Sequence, residues 1–401
     1  NRRRAQGGAR EDGPDKKVAV RMRILFITHA NGMDGANRSL LQLVTELHRN
    51  HGVEPVVVCP RDRLSHVMAE AFGRENIACL PVPLVRFKLE GHRSIVAKCM
   101  LAASFLLHNL YLIYALRNVK FDLVHSNSSV IDMGAYLAMW RGVPHVWHLR
   151  EFGYEDFRMM SVFGKRYERW VYGKCRIAIA ISKAIEQKFK PLFGDRLRLV
   201  YNGVVPKDDS LSATHANGVP AFCIVGRLEP NKNQMEVLEA CRLLKQETEH
   251  PFSLLVIGAG GNTAYTEELK QYAADNGLGN NVVFMGYRSD VPEVLSRCDV
   301  GITASTNEAF GRVTVEYMMQ NLAVIATDTG ANPEIVSDGD TGLLYRLGDA
   351  RQLADKMLAL LGDRALLLRL AANGKRHALK GFSSVKNSDR IYNLYTTLVK
   401  K

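Results

Sequence analysis

Residues 300–326 read VGITASTNEAFGRVTVEYMMQNLAVIA and contain one β-α-β unit. The runs at 300–303 and 323–326 are short and almost wholly apolar, which is typical of parallel strands that are buried on both faces. Between them a polar turn leads into a helical pattern that ends near residue 320. A strand, a helix and a second strand in this order predict a parallel α/β sheet.

The same alternation extends along the chain in both directions. Further strands are predicted at 22–28, 54–59, 122–125, 145–148, 177–180, 197–201, 221–225, 253–257, 282–284 and 342–345, and helices at 39–50, 351–378 and 383–401. We therefore expect two Rossmann-like, doubly wound parallel-sheet domains that face a cleft. Ligands of such sheets bind outside the carboxyl ends of the strands.

A polar, turn-rich stretch at residues 208–220 predicts the linker between the two domains. We divide the chain into a disordered tail at 1–20, a first domain at 21–204, a second domain at 205–382 and a final helix at 383–401. The final helix is expected to cross back to the first domain.

Composition and charge narrow the function classes. The chain is 47% hydrophobic and 23% charged, which is typical of a globular protein. Residues 1–200 hold 32 Lys and Arg against 18 Asp and Glu, whereas residues 201–401 hold 21 against 23. The basic first half indicates an anionic partner, either lipid or a phosphorylated acceptor, and plain solubility charge is the alternative. Nucleic acid is not favoured, because no aromatic-basic stacking pattern accompanies the excess.

The seven cysteines form no CxxC pair and no cluster with metal spacing. We therefore expect reduced thiols in a cytoplasmic protein, with no metal site.

Residues 94–116 read SIVAKCMLAASFLLHNLYLIYAL and are apolar almost all round. The length is borderline for a membrane span, and Lys98, His108 and Asn109 argue against one. The preceding residues supply a basic flank of Arg86, Lys88, His92 and Arg93. This pattern predicts peripheral contact with the inner face of an anionic membrane, and a core helix of the first domain is the alternative.

The strongest chemical signal is EAFGRVTVE at residues 308–316. Glu308 and Glu316 lie eight residues apart on either side of Gly311. A glycine at the start of a helix lets the backbone approach a ligand closely, and the free amides there favour a phosphate.

A second block, VGRLEPNKN at residues 225–233, contains Gly226, Arg227 and Lys232. Two cations held beside a phosphate group would stabilise negative charge that develops on it. Arginine can bind phosphate through two hydrogen bonds, while lysine acts more as a point charge.

Together the two blocks resemble the E-x7-E and G-R-x-x-x-x-K segments of glycosyltransferase family 4, whose members are retaining enzymes with the GT-B fold. Residues 322–336, LAVIATDTGANPEIV, resemble the family's G-x-P-E-I-V segment with one extra residue before the proline. The resemblance covers roughly residues 22–395. It implies an acceptor-binding first domain and a second domain that binds a nucleotide-sugar.

The implied activity is transfer of a hexose or N-acetylhexosamine from a nucleotide-sugar to a glycan or lipid-linked glycan acceptor in cell-surface polysaccharide synthesis, and UDP is favoured as the nucleotide. The resemblance implies same-face attack with the leaving phosphate as base, and no metal or cofactor. Asp338-Gly-Asp340 lies in a predicted turn and is not interpreted as a metal site. The alternatives are a UDP-sugar epimerase of similar fold and a non-catalytic partner that has kept the fold.

The resemblance also implies roles for individual residues. The catalytic set is His148, Arg227, Lys232 and Glu308. The donor-binding set is Gly35, Gly226, Arg288, Ala309, Phe310, Gly311, Arg312, Val313 and Glu316. The acceptor side is His125, Asn127, Arg150 and Glu151. Within these sets, Glu308 and the backbone of 309–311 would hold the sugar and phosphate, and Glu316 the ribose hydroxyls. Gly35 would meet the phosphates from the first domain, and His148 would lie beside the transferred sugar.

Overall fold

The computed structural model describes residues 22–62, 66–90, 94–206, 219–260 and 262–399. Its strands are β1 Arg23–Ile27, β2 Glu54–Pro60, β3 Ala78–Val82, β4 Lys88–Glu90, β5 Leu123–Ser126, β6 His145–Leu149, β7 Met159–Ser161, β8 Ile177–Ala180, β9 Leu197–Leu199, β10 Ala221–Val225, β11 Ser253–Ile257, β12 Val282–Gly286, β13 Val300–Thr303, β14 Ala323–Thr327 and β15 Leu343–Tyr345. Its helices are α1 Gly35–His51, α2 Val67–Arg74, α3 Ile95–Ala115, α4 Met133–Arg141, α5 Tyr154–Phe157, α6 Gly164–Gly173, α7 Lys183–Phe193, α8 Gln234–Glu247, α9 Thr263–Asp275, α10 Val291–Leu295, α11 Arg312–Met319, α12 Asn332–Ile335, α13 Ala350–Gly362, α14 Arg364–Gly381 and α15 Ser384–Val399.

Two parallel sheets form the centres of two domains, which confirms the predicted architecture. The first sheet has the strand order β3-β2-β1-β5-β6-β8-β9, and the second has the order β12-β11-β10-β13-β14-β15. In each sheet the order reverses beside the first strand, between β1 and β5 and between β10 and β13. A parallel sheet binds its ligands in the crevice at such a reversal, beyond the carboxyl ends of the strands. The topology therefore predicts one ligand-binding edge on each domain.

Three strands were not predicted, and each has a local reason. Strand β3 contains Pro81 and lies at the edge of the first sheet. Proline cannot donate a ladder hydrogen bond, so it is confined to such edge positions and weakens a strand pattern. Strands β4 and β7 have three residues each and pair only with one another, in antiparallel fashion. Segments of three residues are too short to show an alternation of apolar and polar side chains.

Two predicted helix boundaries were wrong. Helix α1 begins at Gly35 rather than near residue 39, because the Asp34 side chain accepts a hydrogen bond from the Asn37 amide and caps the helix there. The helical region after residue 350 is two helices, which meet at Asp363, whose side chain caps the second of them. The predicted tail at 1–20 and residues 208–218 of the predicted linker lie outside the described residues.

Helix α15 packs on α1 of the first domain, although it follows the second domain in the chain. The Ser384 hydroxyl donates to Glu46 of α1 at 3.0 Å, and the His51 and Tyr392 rings stack with centroids 4.2 Å apart. Further along, Ile391 and Tyr395 are fully buried in the core beside β1 and β5. The chain therefore crosses between the domains twice.

Helix α3 covers residues of the predicted apolar segment, and most of it faces outward. Only Phe105, Asn109 and Leu112 are buried. By length and composition it is the one described helix that could cross a membrane, and only 11% of its most apolar window is buried. Its exposed large apolar side chains are Ile95, Val96, Met100, Leu106, Leu107, Leu110, Tyr111 and Tyr114. The alternative of a core helix is therefore wrong.

Of the basic flank predicted for this segment, the two residues that the structure describes, Arg86 and Lys88, have partners within the protein. Lys88 is buried and forms an ion pair with Glu168 at 2.5 Å. The Arg86 guanidinium donates to the backbone carbonyl of His29 at 3.1 Å. Residues 91–93 lie outside the described residues. Exposed cations near α3 are found instead on α6, at Lys165, Arg166 and Arg169.

Asp132, which precedes α4, is a buried carboxyl group that should make stability depend on pH. Burial raises its pKa to about 7, and hydrogen bonds from the Tyr167 hydroxyl and the backbone only partly offset this. Because the folded state holds this proton more tightly than the unfolded chain, the contribution of Asp132 to the free energy of unfolding should fall as pH rises from about 4 to about 7. The decrease should be on the order of a few kcal/mol.

Urea denaturation of wild type and Asp132→Asn at pH 5 and pH 8 would measure this effect. From pH 5 to pH 8 the free energy of unfolding of Asp132→Asn should change by a few kcal/mol more favourably than that of wild type, because the amide cannot ionise. Asp275→Asn, at an exposed position of α9, serves as the matched control. An equal pH dependence in wild type and Asp132→Asn would contradict the assignment.

Candidate active site

The second domain brings its two predicted blocks together at the carboxyl ends of β10 and β13. The Lys232 ammonium lies 2.9 Å from the Glu308 carboxylate and 3.4 Å from the Ser305 hydroxyl. A small cavity of about 60 Å³ lies here, at the topological reversal of the second sheet. Its lining includes Gly226, Lys232, Ser305, Glu308, Gly311 and Val313.

Glu308 is held as a carboxylate by its neighbours. Burial alone would raise its pKa, but the charge and hydrogen bond of Lys232, with hydrogen bonds from Ser305 and the Gly311 backbone, lower the pKa overall. The backbone of Glu308 packs against Gly330, where an added Cβ would lie 2.4 Å from the Glu308 carbonyl oxygen. Gly330 has φ of 58°, so both its conformation and its lack of a side chain are needed there. The downstream TDTG segment thus supports Glu308.

Gly311 ends the loop and immediately precedes α11. Its φ is 84°, and an added Cβ would lie 2.9 Å from the Ile335 side chain. The position therefore requires glycine for both conformation and space. The preceding Phe310 is buried and packs edge-on against Phe382 at a centroid distance of 5.9 Å. These contacts fix the loop and leave the first amides of α11 at the cavity.

Arg312 connects the two domains across the cleft. Its guanidinium lies 2.9 Å from the Glu316 carboxylate, one turn further along α11. It also donates to the Ser39 hydroxyl and the Gln42 side chain of α1, each at 3.1 Å. Burial lowers the pKa of Arg312, while Glu316 opposes that shift. The Arg312 side chain therefore links Glu316 of the second domain to α1 of the first domain.

Two of the predicted donor-side cations lie outside this cluster. Arg227 is 68% exposed and forms an ion pair with Glu229 at 2.6 Å. Arg288 pairs with Asp290, with its Nε 2.8 Å from a carboxylate oxygen. Neither lines the cavity. The structure therefore brings together Lys232, Glu308 and Gly311, and does not bring Arg227 or Arg288 to them.

The first domain supplies the opposite wall. Gly35 is the first residue of α1, and no atom lies within 4 Å of the position that its Cβ would occupy. At the end of β5, the Asn127 amide donates to the Ala36 carbonyl at 3.3 Å. The Asn127 side-chain oxygen in turn accepts from Arg150 Nε at 2.6 Å. The start of α1 and the carboxyl ends of β5 and β6 thus form one hydrogen-bonded edge.

Arg150 and Glu151 have separate partners rather than forming an ion pair with each other. Arg150 donates to Asn127 and to the Asn202 side-chain oxygen, both at 2.6 Å. The Glu151 carboxylate accepts from the Ser128 hydroxyl and from the amide and hydroxyl of Ser129 at 2.6–2.7 Å. Burial lowers the pKa of Arg150 to about 9, and Glu151 partly opposes the shift. Arg150 therefore remains a buried cation at neutral pH.

His125 and His148 lie side by side on β5 and β6, with ring centroids 5.2 Å apart. Both are fully buried. Burial first, and then the Arg150 charge, lower the pKa of each histidine well below its usual value. Both imidazoles are therefore neutral at physiological pH.

Sequence reasoning missed a second set of contacts between the domains. The Ser182 hydroxyl donates to the Ala309 carbonyl at 2.7 Å. The Glu334 carboxylate accepts from the amides of Lys183 and Ala184, the first residues of α7, at 2.7 and 2.8 Å. A carboxylate at a helix N-terminus is favourable for both hydrogen bonding and charge. The signal was present, because Glu334 lies in the quoted GANPEIV segment, but its partner could not be read from the sequence.

Within the described ranges no cluster of three or more His, Cys, Asp or Glu side chains is arranged to hold a metal ion. Asp338 lies in a turn, where its side chain accepts from the Leu344 amide at 2.8 Å. Metal independence stays a prediction.

Comparisons with known proteins agree with this geometry. A model described as glycosyltransferase family 4 matches residues 33–208, and one described as glycosyl transferases group 1 matches residues 208–377. The chain is 27% identical over 305 residues to the UDP-Gal:α-D-GlcNAc-diphosphoundecaprenol α-1,3-galactosyltransferase of Escherichia coli, which covers 71% of this chain and 77% of that protein. It is 30% identical over 143 residues to the lipopolysaccharide core biosynthesis mannosyltransferase LpsB of Rhizobium meliloti, over 35% of this chain and 41% of that protein.

Among solved structures, the Anabaena protein HepE in complex with UDP superposes with a TM-score of 0.76 at 22% identity, over 94% of this chain and all of that one. That likeness concerns the fold. The two family models meet at residue 208 and together match residues 33–377, which include most of both domains and the contact of Lys232 with Glu308. The chain is therefore a glycosyltransferase of the family 4 type with the GT-B fold.

Proposed function

We propose that the chain is a retaining, metal-independent glycosyltransferase that moves a hexose or N-acetylhexosamine from a UDP-sugar to a lipid-linked glycan acceptor. The observation that carries this proposal is the contact of Lys232 with Glu308 at the topological reversal of the second sheet. It supplies one cation and one carboxylate beside the helix start at Gly311. The lysine ammonium and the backbone amides at the helix start can bind a diphosphate, and a sugar hydroxyl can donate a hydrogen bond to the carboxylate.

The proposed roles follow from these positions. Lys232 stabilises the negative charge that develops on the leaving diphosphate, so no metal ion is needed for that purpose. Glu308 accepts hydrogen bonds from the sugar, while the amides at Gly311 and Arg312 face the phosphates. Glu316 accepts from the ribose hydroxyls. The leaving phosphate takes the acceptor proton as the new bond forms on the same face of the sugar.

The choice of UDP rests on relatives. HepE has been solved with UDP and with UDP-glucose, and the E. coli relative is named for UDP-galactose. The same E. coli enzyme is named for an acceptor linked to diphosphoundecaprenol. A lipid-linked acceptor also accords with the basic first half of this chain and with the outward-facing α3.

A thermal-shift screen against UDP-, GDP- and ADP-sugars would test donor class. A ligand that binds only the folded protein raises its melting temperature, and a tighter ligand raises it more. We expect the largest shift with UDP-sugars. Transfer to a polyprenyl-diphosphate-linked sugar should follow with the donor so identified, and the anomeric configuration of the product reports retention. Hydrolysis or epimerisation of donor in place of transfer would contradict the proposal.

We further propose that the protein binds peripherally to the cytoplasmic face of an anionic membrane through α3 and α6. The Phe105 ring of α3 packs edge-on against the rings of Tyr136 and Phe163, with ring centroids 5.5 Å apart in each pair. Phe163 immediately precedes α6, so the start of α6 lies beside α3. Each of these helices leads into a strand of a parallel sheet, so each begins on the carboxyl edge, where the cleft lies. An exposed apolar helix beside exposed cations is the pattern expected for an interfacial contact.

Neutralising the cations of α6 should weaken vesicle binding. A basic residue near an anionic surface contributes about 1 kcal/mol, so Lys165→Gln, Arg166→Gln and Arg169→Gln together should lower the partition coefficient roughly a hundredfold. Flotation with vesicles of phosphatidylcholine and phosphatidylglycerol measures this, with pure phosphatidylcholine vesicles as the uncharged reference.

The matched control neutralises one lysine and two arginines that are exposed on the second domain: Lys270, Arg364 and Arg369. It should leave flotation unchanged. Replacing Leu107 and Leu110 by aspartate tests the apolar contribution of α3 separately. If wild type does not float with anionic vesicles, or if both triple variants behave alike, the proposed membrane surface is wrong.

A further inference from the structure

Three buried side chains form a hydrogen-bonded chain that starts on the crossing helix α15 and ends at His148. The Tyr395 hydroxyl lies 2.6 Å from Nδ1 of His125. The Nε2 atom of His125 lies 3.3 Å from Nδ1 of His148. That same Nδ1 atom lies 3.3 Å from Nη2 of Arg150. Tyr395, His125 and His148 are fully buried, and Arg150 is 6% exposed.

Arg150 determines which group donates and which accepts along this series of hydrogen bonds, because a guanidinium can donate hydrogen bonds but cannot accept them. Its contact with Nδ1 of His148 therefore requires a lone pair on that nitrogen. His148 is neutral, since its pKa is lowered well below the usual value by burial and by the Arg150 charge. A neutral imidazole carries one proton, so the proton of His148 must be on Nε2.

The same reasoning extends to His125 and Tyr395. Because Nδ1 of His148 has no proton, the contact between the two rings must be donated by Nε2–H of His125. His125 is neutral too, so its Nδ1 is an acceptor and the Tyr395 hydroxyl donates to it. Burial raises the pKa of Tyr395 well above its usual value, which keeps that proton in place. Each group therefore has a single hydrogen-bonding role.

One donor in this series of hydrogen bonds has no acceptor. The Nε2 atom of His148 is buried and has no hydrogen-bond partner among the residues that the structure describes. A buried N–H group is destabilising unless an acceptor reaches it. His148 lies near the carboxyl end of β6, two residues before Arg150 and on the edge that faces the second domain.

We propose that Arg150, His125 and Tyr395 are positioning residues that hold His148 in its Nε2–H tautomer, so that His148 donates a hydrogen bond to an oxygen of the bound sugar-nucleotide and does not act as a base. The assignment of the acceptor oxygen rests on the proposed function. The tautomers of the two histidines follow from the protein alone. Through Tyr395, α15 takes part in the site as well as tying the domains together.

NMR spectroscopy of the whole protein labelled with ¹⁵N-histidine tests the tautomers directly, because correlations from ring carbon-bound protons report which nitrogen carries the proton. Between pH 6 and pH 8 we expect His125 and His148 both to be neutral and protonated on Nε2. His125→Gln and His148→Gln assign the two signals. In Tyr395→Phe the His125 signal should shift towards a mixture of tautomers. A proton on Nδ1 of His148, or an imidazolium in that range, would overturn the proposal.

Transfer kinetics test the consequence, with two replacements of His125 that differ in reach. Glutamine can place an N–H donor near the position of Nε2, whereas the shorter asparagine cannot. We expect His125→Gln to retain kcat within about threefold and His125→Asn to lower it about tenfold, with donor KM little changed in both. Tyr395→Phe should lower kcat about fivefold. Tyr392→Phe, one turn earlier on α15 and stacked on His51, is the matched control and should equal wild type.

Thermal melting of each variant separates these effects from misfolding. Equal kcat values for His125→Gln and His125→Asn, in variants that melt alike, would overturn the positioning role. The predicted tautomers in a protein that transfers no sugar would support the chain of hydrogen bonds and would overturn the proposed function instead.

Discussion

Replacing Lys232 by alanine is expected to lower kcat by roughly a hundred- to a thousandfold, the range found when one group that stabilises developing negative charge is removed. Lys232 is the one predicted cation that the structure brings to Glu308, at 2.9 Å. Its loss removes charge stabilisation from the leaving diphosphate. It also leaves the partly buried Glu308 without its counter-ion, so burial should raise the pKa of that carboxyl group. Steady-state transfer rates at saturating donor would measure the loss.

Two further variants make this test specific. Lys270→Ala removes a lysine with an identical 2.9 Å ion pair to a glutamate, but on the exposed surface of α9, and should leave kcat unchanged. Arg227→Ala should lower kcat less than Lys232→Ala, because Arg227 is 68% exposed and paired with Glu229. Wild-type kcat in Lys232→Ala would refute the assignment of the donor site.

The second large effect is expected at Glu316, where alanine should raise the donor KM by roughly ten- to a hundredfold. Hydrogen bonds to a charged group contribute about 1.5–3 kcal/mol each, and the ribose hydroxyls bind in the ground state as well as in the transition state. The effect should therefore appear mainly in KM rather than in kcat. A titration of UDP-sugar with the variant and wild type would measure it, and Glu268→Ala on the exposed face of α9 is the control.

Glu316 also holds Arg312, which bridges to Ser39 and Gln42 of the first domain. Loss of Glu316 could therefore act by releasing the contact between the domains. Arg312→Gln separates the two causes, because it removes the bridge and keeps the carboxylate. We expect Arg312→Gln to raise KM much less than Glu316→Ala. Equal increases in the two variants would assign the effect to domain closure and would contradict ribose binding by Glu316.

Much of the second domain could be predicted from local sequence. Strands β10, β11 and β13 have the predicted bounds, because each is a short, mostly buried apolar run that ends at a turn. Gly311 was recognisable as a helix entry, and its φ of 84° gives the reason for glycine. Lys232 and Glu308 are 76 residues apart in the chain, yet the parallel topology predicts that the loops after β10 and β13 share one edge.

The first domain was less readable. Its acceptor-side residues were named individually, but no local pattern relates His125 to a tyrosine 270 residues away. The Arg227 side chain was expected beside Lys232, and its turn towards Glu229 depends on the surrounding surface. The exposed face of α3 was also undecided, since a helix that is apolar all round can be buried or can face lipid.

The sequence by itself determined the two parallel sheets and the helix entry at Gly311, because apolar period and glycine conformation act over a few residues. Its motifs also carried the resemblance that implied the enzyme class, since those motifs are short and local. Only the tertiary structure decided which side chains meet across the cleft. Glu334 caps α7, Arg312 bridges to α1, and Tyr395 reaches His125. These contacts join elements that are distant in the chain, and they exist because α15 crosses back and packs on α1. A hydrogen bond requires the distance between its donor and acceptor atoms to be right to within a few tenths of an ångström, and tertiary packing rather than local sequence sets that distance.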